Sequence, residues 1–345
     1  MSAASPISNG QAQSHSRLTD SYGRVIHDLR VSITDRCNYK CVYCRTGEYG
    51  AQYPELGIEE YLRLIRIFVG LGIEKVRLTG GEPLLRKGLL DLLRQLAQMR
   101  THAGRPLDLA VTTNGHLLED LALPLKQAGL NRVTVSMDAV DAETFERITR
   151  VPGSFARVLA GIRAAREAGL APLKVNCVLL RGFNDAEIEG FARFAREEDV
   201  VVRFIEFMPL EEGRLWSPEI VVPLAEIVER INRVMPLVPL PPREPSETAC
   251  RYGFADGPGE IGIIAPVTQA FCGACSRVRL TSDGKIRTCL FSQVEHDLYG
   301  RMRSGASDAD LSAYVEHTVQ GKEARHHIGE PGFLKPSRSM VHIGG

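Results

Sequence analysis

Three cysteines crowd the stretch TDRCNYKCVYC, where Cys37, Cys41 and Cys44 follow the spacing C-x3-C-x2-C. A second set, Cys272, Cys275 and Cys289, follows in FCGACSRVRL and IRTCLF with the spacing C-x2-C-x13-C. Thiolates so placed hold zinc or iron–sulfur clusters. Structural zinc takes four closed ligands, and an ordinary ferredoxin cluster also takes four cysteines. The first set has no fourth cysteine and no histidine beside it. A four-iron cube held at three corners keeps one iron open for a reactant, which is the reading that explains why the set stops at three. For the second set, spacing alone leaves two readings open: a zinc staple completed by Cys250, and a second cluster. Two features favour the cluster. Arg277 and Arg279 directly follow the pair and alternate onto one side of an expected strand. Cys250 has no partner cysteine at knuckle spacing.

Such groups need a frame. From about residue 29 to 235, strand-like and helix-like segments alternate: LRVSIT, KVRLTG, LDLAVTT, RVTVSMD, LKVNCVLL and VVRFIEFM, with helical patterns between them. In the first helix, Ile58, Tyr61, Leu62, Ile65, Phe68 and Val69 fall on one face. Strand–helix alternation predicts parallel crossovers. Six units make an α/β fold, a partial (β/α)6 TIM-like barrel, although a doubly wound open sheet fits the alternation almost as well. In parallel folds the chemistry gathers at the carboxyl ends of strands. The cysteine loop, GGEP, TTNG, Ser136 with Asp138, and Met208-Pro209 each follow a strand. Taken singly, GGEP and TTNG are ordinary turn formers; five such coincidences point to one site. PLVPLPPREP reads as a linker near Met235. The expected organisation is a disordered tail over 1–20, a barrel over 21–235 and a smaller C-terminal region over 236–345.

Composition excludes several functions. The 345 residues carry 42 basic and 42 acidic side chains, so no overall field draws in nucleic acid or an anionic membrane. An anionic ligand must be held by a local cluster of cations. The first twenty residues lack an apolar segment of the signal-peptide kind, and no apolar run reaches membrane-spanning length. The expected location is the cytoplasm, where eight cysteines point to metal or catalysis rather than disulfides. Cys177 and Cys250 read as structural thiols, and His326-His327 as surface or packing residues.

With an aromatic, Tyr43, before its last cysteine, the first loop resembles the signature of the radical S-adenosylmethionine (SAM) superfamily, and GGEP matches that superfamily's segment for the methionine moiety. The resemblance implies that the open iron chelates SAM and that an electron from the cluster releases a 5′-deoxyadenosyl radical. From about Tyr22 to the end, the chain further resembles the GTP 3′,8-cyclase family of molybdenum cofactor biosynthesis. The motifs are YGRVIHDLRVSITDRCNYKCVYC, KVRLTGGEPLLR, TTNG, VSMD, KVNCVLLRGFND, FCGACSRVRLTSDGKIRTCL and the terminal Gly344-Gly345. That resemblance implies two 4Fe-4S clusters, with guanine of GTP on the open iron of the second. It implies GTP contacts from Arg30, Arg77, Thr112, Lys174, Arg277, Val278 and Arg279, and SAM contacts from Tyr43, Gly81, Ser136 and Met208. Arg277, Arg279 and a Gly344-Gly345 tail threaded into the active site are its expected catalytic residues. The implied reaction takes hydrogen from C3′ of the ribose and joins C3′ to C8. Expected partners are an electron donor such as flavodoxin or ferredoxin, the downstream cyclic pyranopterin monophosphate synthase, and a second copy of the chain.

Bland readings stand beside these. A lone arginine is ordinarily a surface charge with its stem packed on a strand, Met208 is ordinary core filler, and two terminal glycines ordinarily fray. The chain departs from the family at Arg45-Thr46 and Ser276. The alternatives are a radical SAM peptide maturase, which would lack the Arg277–Arg279 pair, and a zinc-stapled scaffold.

Overall fold

The computed structural model describes residues 17–44 and 51–343. Six parallel strands form its centre in sequence order: β1 (Asp28–Ser32), β2 (Lys75–Thr79), β3 (Asp108–Thr113), β4 (Arg132–Ser136), β5 (Lys174–Leu179) and β6 (Val201–Glu206). Between them run α1 (Ile58–Gly70), α2 (Leu89–Gln98), α3 (Leu118–Gln127), the pair α4 (Ala142–Thr149) and α5 (Ser154–Glu167), and α6 (Ile188–Glu197), with α7 (Leu224–Asn232) after β6. This is the expected α/β alternation.

Helix α1 shows how sequence becomes packing. Glu60 reaches back to accept from the Gly57 amide at 2.8 Å and closes the first turn. Tyr61, Leu62, Ile65, Phe68 and Val69 are buried, each worth roughly 1.5–3 kcal/mol of transfer free energy. Strands β5 and β6 alternate instead. Val175, Cys177 and Leu179 enter the core, whereas Lys174, Asn176 and Val178 are half-buried on the other face.

The C-terminal hundred residues contribute β7 (Leu237–Leu240), β8 (Cys250–Phe254), β9 (Glu260–Ile264), β10 (Arg277–Leu280), β11 (Lys285–Arg287) and β12 (His296–Asp297), followed by α8 (Leu298–Arg303), α9 (Asp308–Gln320) and α10 (Met340–Ile343). Far from forming a sheet of their own, these strands extend both edges of the central one. Strand β10 pairs in parallel with β1, and β9 in parallel with β6, giving one twelve-stranded order β12-β11-β10-β1-β2-β3-β4-β5-β6-β9-β8-β7.

Three local expectations change. The structured chain begins before residue 21: Leu18 is buried in the core, and Asp20 is buried against Arg24 at 2.6 Å. Residues 1–16 of the expected tail lie outside the described residues. The PLVPLPPREP stretch contains β7, an edge strand whose Pro239 costs the ladder little, and the residues after it line a cavity. Cys250, expected to pack as a small apolar residue, is exposed on β8.

Candidate active site

A cavity of about 310 Å³ is lined by residues from β1 to β6, β9 and β10. Cys37, Cys41 and Cys44 stand together in its wall with Tyr39 and Tyr43. Their loop is held from several sides. Asn114 of TTNG donates to Asn38 Oδ1 at 2.7 Å, and the Tyr39 amide donates to Cys37 Sγ at 3.4 Å. The Tyr43 hydroxyl donates to Asp138 Oδ2 at 2.6 Å, tying the third cysteine's neighbour to the end of β4. Burial, the Asp138 carboxylate and the two neighbouring thiols push the Cys41 thiol well up. Thiols crowded against an acid in this way suit a cation that would draw off their protons.

The glycines of GGEP serve this loop directly. A side chain on Gly81 would stand 2.3 Å from the Arg36 carbonyl oxygen, and Gly80, at φ +147°, approaches the Thr34 carbonyl as closely. The Gly81 amide donates to the Thr34 carbonyl at 2.8 Å, and the Glu82 amide to that of Arg36 at 2.7 Å. Glu82 itself is wholly buried and accepts from the amides of Leu84 and Asn114 and the hydroxyl of Thr113. Burial pushes its carboxyl up to about 7 despite those three donors.

The second cysteine set stands just behind the wall. Phe271, Ser276 and Leu290 line the cavity, each next in sequence to Cys272, Cys275 or Cys289. Burial alone would raise the Cys275 thiol, but Arg277, Lys322 and hydrogen bonds to Arg277 outweigh it and bring it down to about 6. Among the described residues no three His, Cys, Asp or Glu side chains gather as for a single metal ion. Each set supplies three thiols, and thiolates are the donors that hold iron–sulfur clusters. Cys250 stands on β8, two strands beyond β6, whereas β10 adjoins β1.

Cations crowd the same cavity. Arg30, Lys75, Arg77, Arg132, Lys174, Arg203, Arg277 and Arg279 all line the cavity. Strand register explains their arrangement. Arg277, Asp28 and Lys75 are side by side on β10, β1 and β2, and the Asp28 carboxylate balances that row, 3.2 Å from Lys75. One step along, Arg279, Arg30 and Arg77 are likewise side by side, with no acid in the row. Arg30 Nε is buried without a partner. Burial, chiefly, and neighbouring guanidinium groups push Arg30 down to about 10 and Arg203 to about 9. Both stay cationic near neutral pH. Lys174 is pushed down to about 7 by burial and then by Arg203, Arg132, Arg243 and Arg77.

Of the expected residues, Tyr43, Gly81, Ser136, Met208, Arg30, Arg77, Thr112, Lys174, Arg277 and Arg279 therefore share one cavity. Thr112 Oγ1 accepts from Arg77 at 3.1 Å. The Val278 side chain does not line the cavity; alternation on β10 turns it into the core, 1% exposed. Gly344, Gly345 and Arg45-Thr46 lie outside the described residues, but Met340 and Val341 line the cavity and the Ile343 carbonyl accepts from Arg279 at 3.3 Å. Sequence reasoning missed Lys75, Arg132, Asn176 and Arg203. The signal for Arg203 was present, since it shares the period-two face of VVRFIEFM with Ile205, and both line the cavity.

Comparison with known proteins follows the same lines. Residues 31–195 match the Radical SAM superfamily, and residues 200–328 match Molybdenum Cofactor Synthesis C. The fold resembles Streptococcus suis SuiB bound to S-adenosylmethionine, with a TM-score of 0.57 at 14% identity over 86% of this chain and 68% of that one. The chain is 44% identical to a GTP 3′,8-cyclase of Moorella thermoacetica over 95% of its own length and 100% of the relative's. It is 43% identical to that of Streptomyces coelicolor, over 95% and 96% respectively. With one three-cysteine set in the wall of a cation-lined cavity, a second just behind it, and such identity along nearly the whole chain, the protein belongs to the GTP 3′,8-cyclase family of the radical SAM superfamily.

Proposed function

We propose that the protein converts GTP to (8S)-3′,8-cyclo-7,8-dihydroguanosine 5′-triphosphate, the first step of molybdenum cofactor biosynthesis. The observation that carries this reading is the row Arg279–Arg30–Arg77, three arginines side by side on adjacent strands with no acid in the row. Like charges directly opposed destabilise a sheet, and a triphosphate, with about four negative charges at neutral pH, supplies what the row lacks. A peptide backbone supplies no such charge.

Cys37, Cys41 and Cys44 would hold one 4Fe-4S cluster, and Cys272, Cys275 and Cys289 the other. When bound, these clusters and SAM supply the one-electron chemistry that removes hydrogen from the ribose. The chain's own part is positional. Arg30, Arg77, Lys174, Arg277 and Arg279, with Lys75 and Arg203, grip the phosphates, and Thr112 holds Arg77 in place. Tyr43, Gly81, Ser136 and Met208 line the SAM side of the same chamber. Fixing the nucleotide at its charged end holds C3′ and C8 near one another and near the sulfur end, so ring closure becomes effectively intramolecular. The C-terminal segment is anchored through the Ile343 carbonyl on Arg279, and Gly344 and Gly345, which follow it in sequence, are the tail residues this reading makes catalytic. An exchangeable electron donor of the flavodoxin or ferredoxin kind and hand-over to the next synthase fit this reaction. Among the described residues no helix is long and apolar enough to cross a membrane, and we place the enzyme in the cytoplasm.

Anaerobic incubation of the reconstituted enzyme with GTP, SAM and dithionite tests the reading. The expected result is 5′-deoxyadenosine with a product isomeric with GTP. SAM cleavage with intact GTP at every GTP concentration would refute it.

A further inference from the structure

The last described residues of the chain run across the carboxyl ends of the strands. In the loop after β6, Lys335 donates to Glu211 Oε1 at 2.9 Å and to the Gly213 carbonyl at 2.8 Å, and the Met340 amide donates to the Leu210 carbonyl at 2.9 Å. Between these two anchors Arg338 reaches the turn that joins β10 to β11. It is buried, and its two arms grip one carboxylate: Nη1 donates to Asp283 Oδ1 at 2.9 Å and Nη2 to Asp283 Oδ2 at 2.8 Å. Nη2 also stands 2.7 Å from Glu295 Oε2, and the guanidinium lies 3.9 Å above the centre of the Tyr53 ring. Tyr53 is itself pinned to the first cysteine loop. Its amide and that of Gln52 donate to Asp35 Oδ2 at 2.9 and 2.6 Å, two residues before Cys37.

The acids do not need Arg338 for their charge. Lys285 stands 3.7 Å from Asp283, and Arg287 stands 2.7 Å from Glu295. Each carboxylate therefore has a cation of its own without it. What Arg338 adds is direction, because a planar fork held at its edge by a carboxylate and on one face by a ring has a single orientation. That orientation is passed on over a short stretch. His342 packs its ring edge on the same Tyr53, centroids 5.1 Å apart, and its Nδ1 shares a hydrogen bond with Ser339 Oγ at 3.1 Å. The α10 turn so fixed puts Met340 and Val341 in the wall of the main cavity and sets the Ile343 carbonyl against Arg279.

We propose that Arg338 is a positioning residue for the reaction: through the α10 turn it sets where the chain's last two residues meet the reacting nucleotide. The inference rests on the reading that Gly344 and Gly345 are catalytic. Placement matters in such chemistry, an error of about 1 Å costing about 100-fold in rate.

The test compares wild type, Arg338→Gln, Arg338→Lys and a chain ending at Ile343, each cluster-loaded and assayed for iron. Lysine keeps the buried charge but not the fork, so it guards against a glutamine variant that fails to fold. Truncation should lower kcat for GTP more than about 100-fold. Arg338→Gln should lower kcat about tenfold or more and Arg338→Lys about threefold or more, each with the KM for GTP within about twofold and iron unchanged. Hydrogen exchange should quicken at the Met340 and His342 amides, which donate to Leu210 and Ser339, and stay as it was in the central strands. Wild-type kcat in both Arg338 variants beside an inactive truncated chain would overturn the proposal and leave the tail reading standing. A KM raised more than about tenfold, or lost iron, would make Arg338 a structural residue and overturn it as well. So would a fallen kcat with exchange unchanged at residues 339–343. A truncated chain as active as wild type would strike the tail reading first, and this inference with it.

Discussion

The guanidinium of Arg277 stands 3.5 Å from the sulfur of Cys275 while its other face lies over the ring of Phe271. One side chain thus joins the cation-lined wall to the second cysteine set. Arg279, two residues on, faces the same cavity and holds the Ile343 carbonyl. The two arginines should therefore fail differently. Arg279→Ala is expected to keep both clusters and lose about 100-fold in GTP affinity, about 2.7 kcal/mol. Arg277→Ala should lose GTP affinity and also drop iron from about eight toward about four per chain. Iron analysis beside equilibrium binding separates them, and identical behaviour would refute the division.

Lys174 should make nucleotide binding a proton-consuming event. In the free protein, burial and four arginines hold its ammonium down to about 7, against an ordinary 10.5. A triphosphate beside it favours the charged form and restores the higher value. Between about pH 7 and 10.5 binding then takes up a proton, so affinity falls as pH rises. Calorimetry at pH 8 in two buffers of different ionisation enthalpy should show the uptake. Lys174→Arg, charged throughout, should abolish the uptake and keep affinity within about threefold.

Lys322 is a buried clasp on the second cysteine set. At 3% exposure, its Nζ donates to the carbonyls of Arg277, at 3.0 Å, and of Thr288, the residue before Cys289. Its neighbour Glu323 accepts from Thr288 at 2.7 Å and from Ser292, and Arg24 bridges the carbonyls of Cys272 and Ala324. Outer partners of this sort are worth about 10–100-fold in metal affinity. Lys322→Met should speed loss of the second cluster to a chelator by about that factor and leave the first unchanged. Equal loss from both clusters would argue against the clasp.

Glu82 binds GGEP to TTNG with three donors and no acceptor among its partners. Glutamine there turns an amide toward the Asn114 N–H, leaving a buried donor unmet at about 1–3 kcal/mol. Denaturant unfolding of Glu82→Gln should show that loss. An unchanged midpoint would mean the loop is held elsewhere.

Much of this was legible in the sequence, because short-range chemistry was at stake. Cysteine spacing, glycines at a close backbone approach and the period of α1 are decided by residues within a few positions of one another, and the five sites at strand ends followed from the alternation. What sequence could not decide is whatever depends on neighbours in the sheet. Nothing in the order of residues says that β10 adds beside β1, yet that pairing alone sets Arg279 against Arg30 and Arg77 and turns Val278 inward. The same holds for β9 beside β6 and for the proline-rich stretch, part of which pairs with β8 as edge strand β7. Local propensity fixes which face a residue takes; only register between strands distant in sequence fixes which charges must share it.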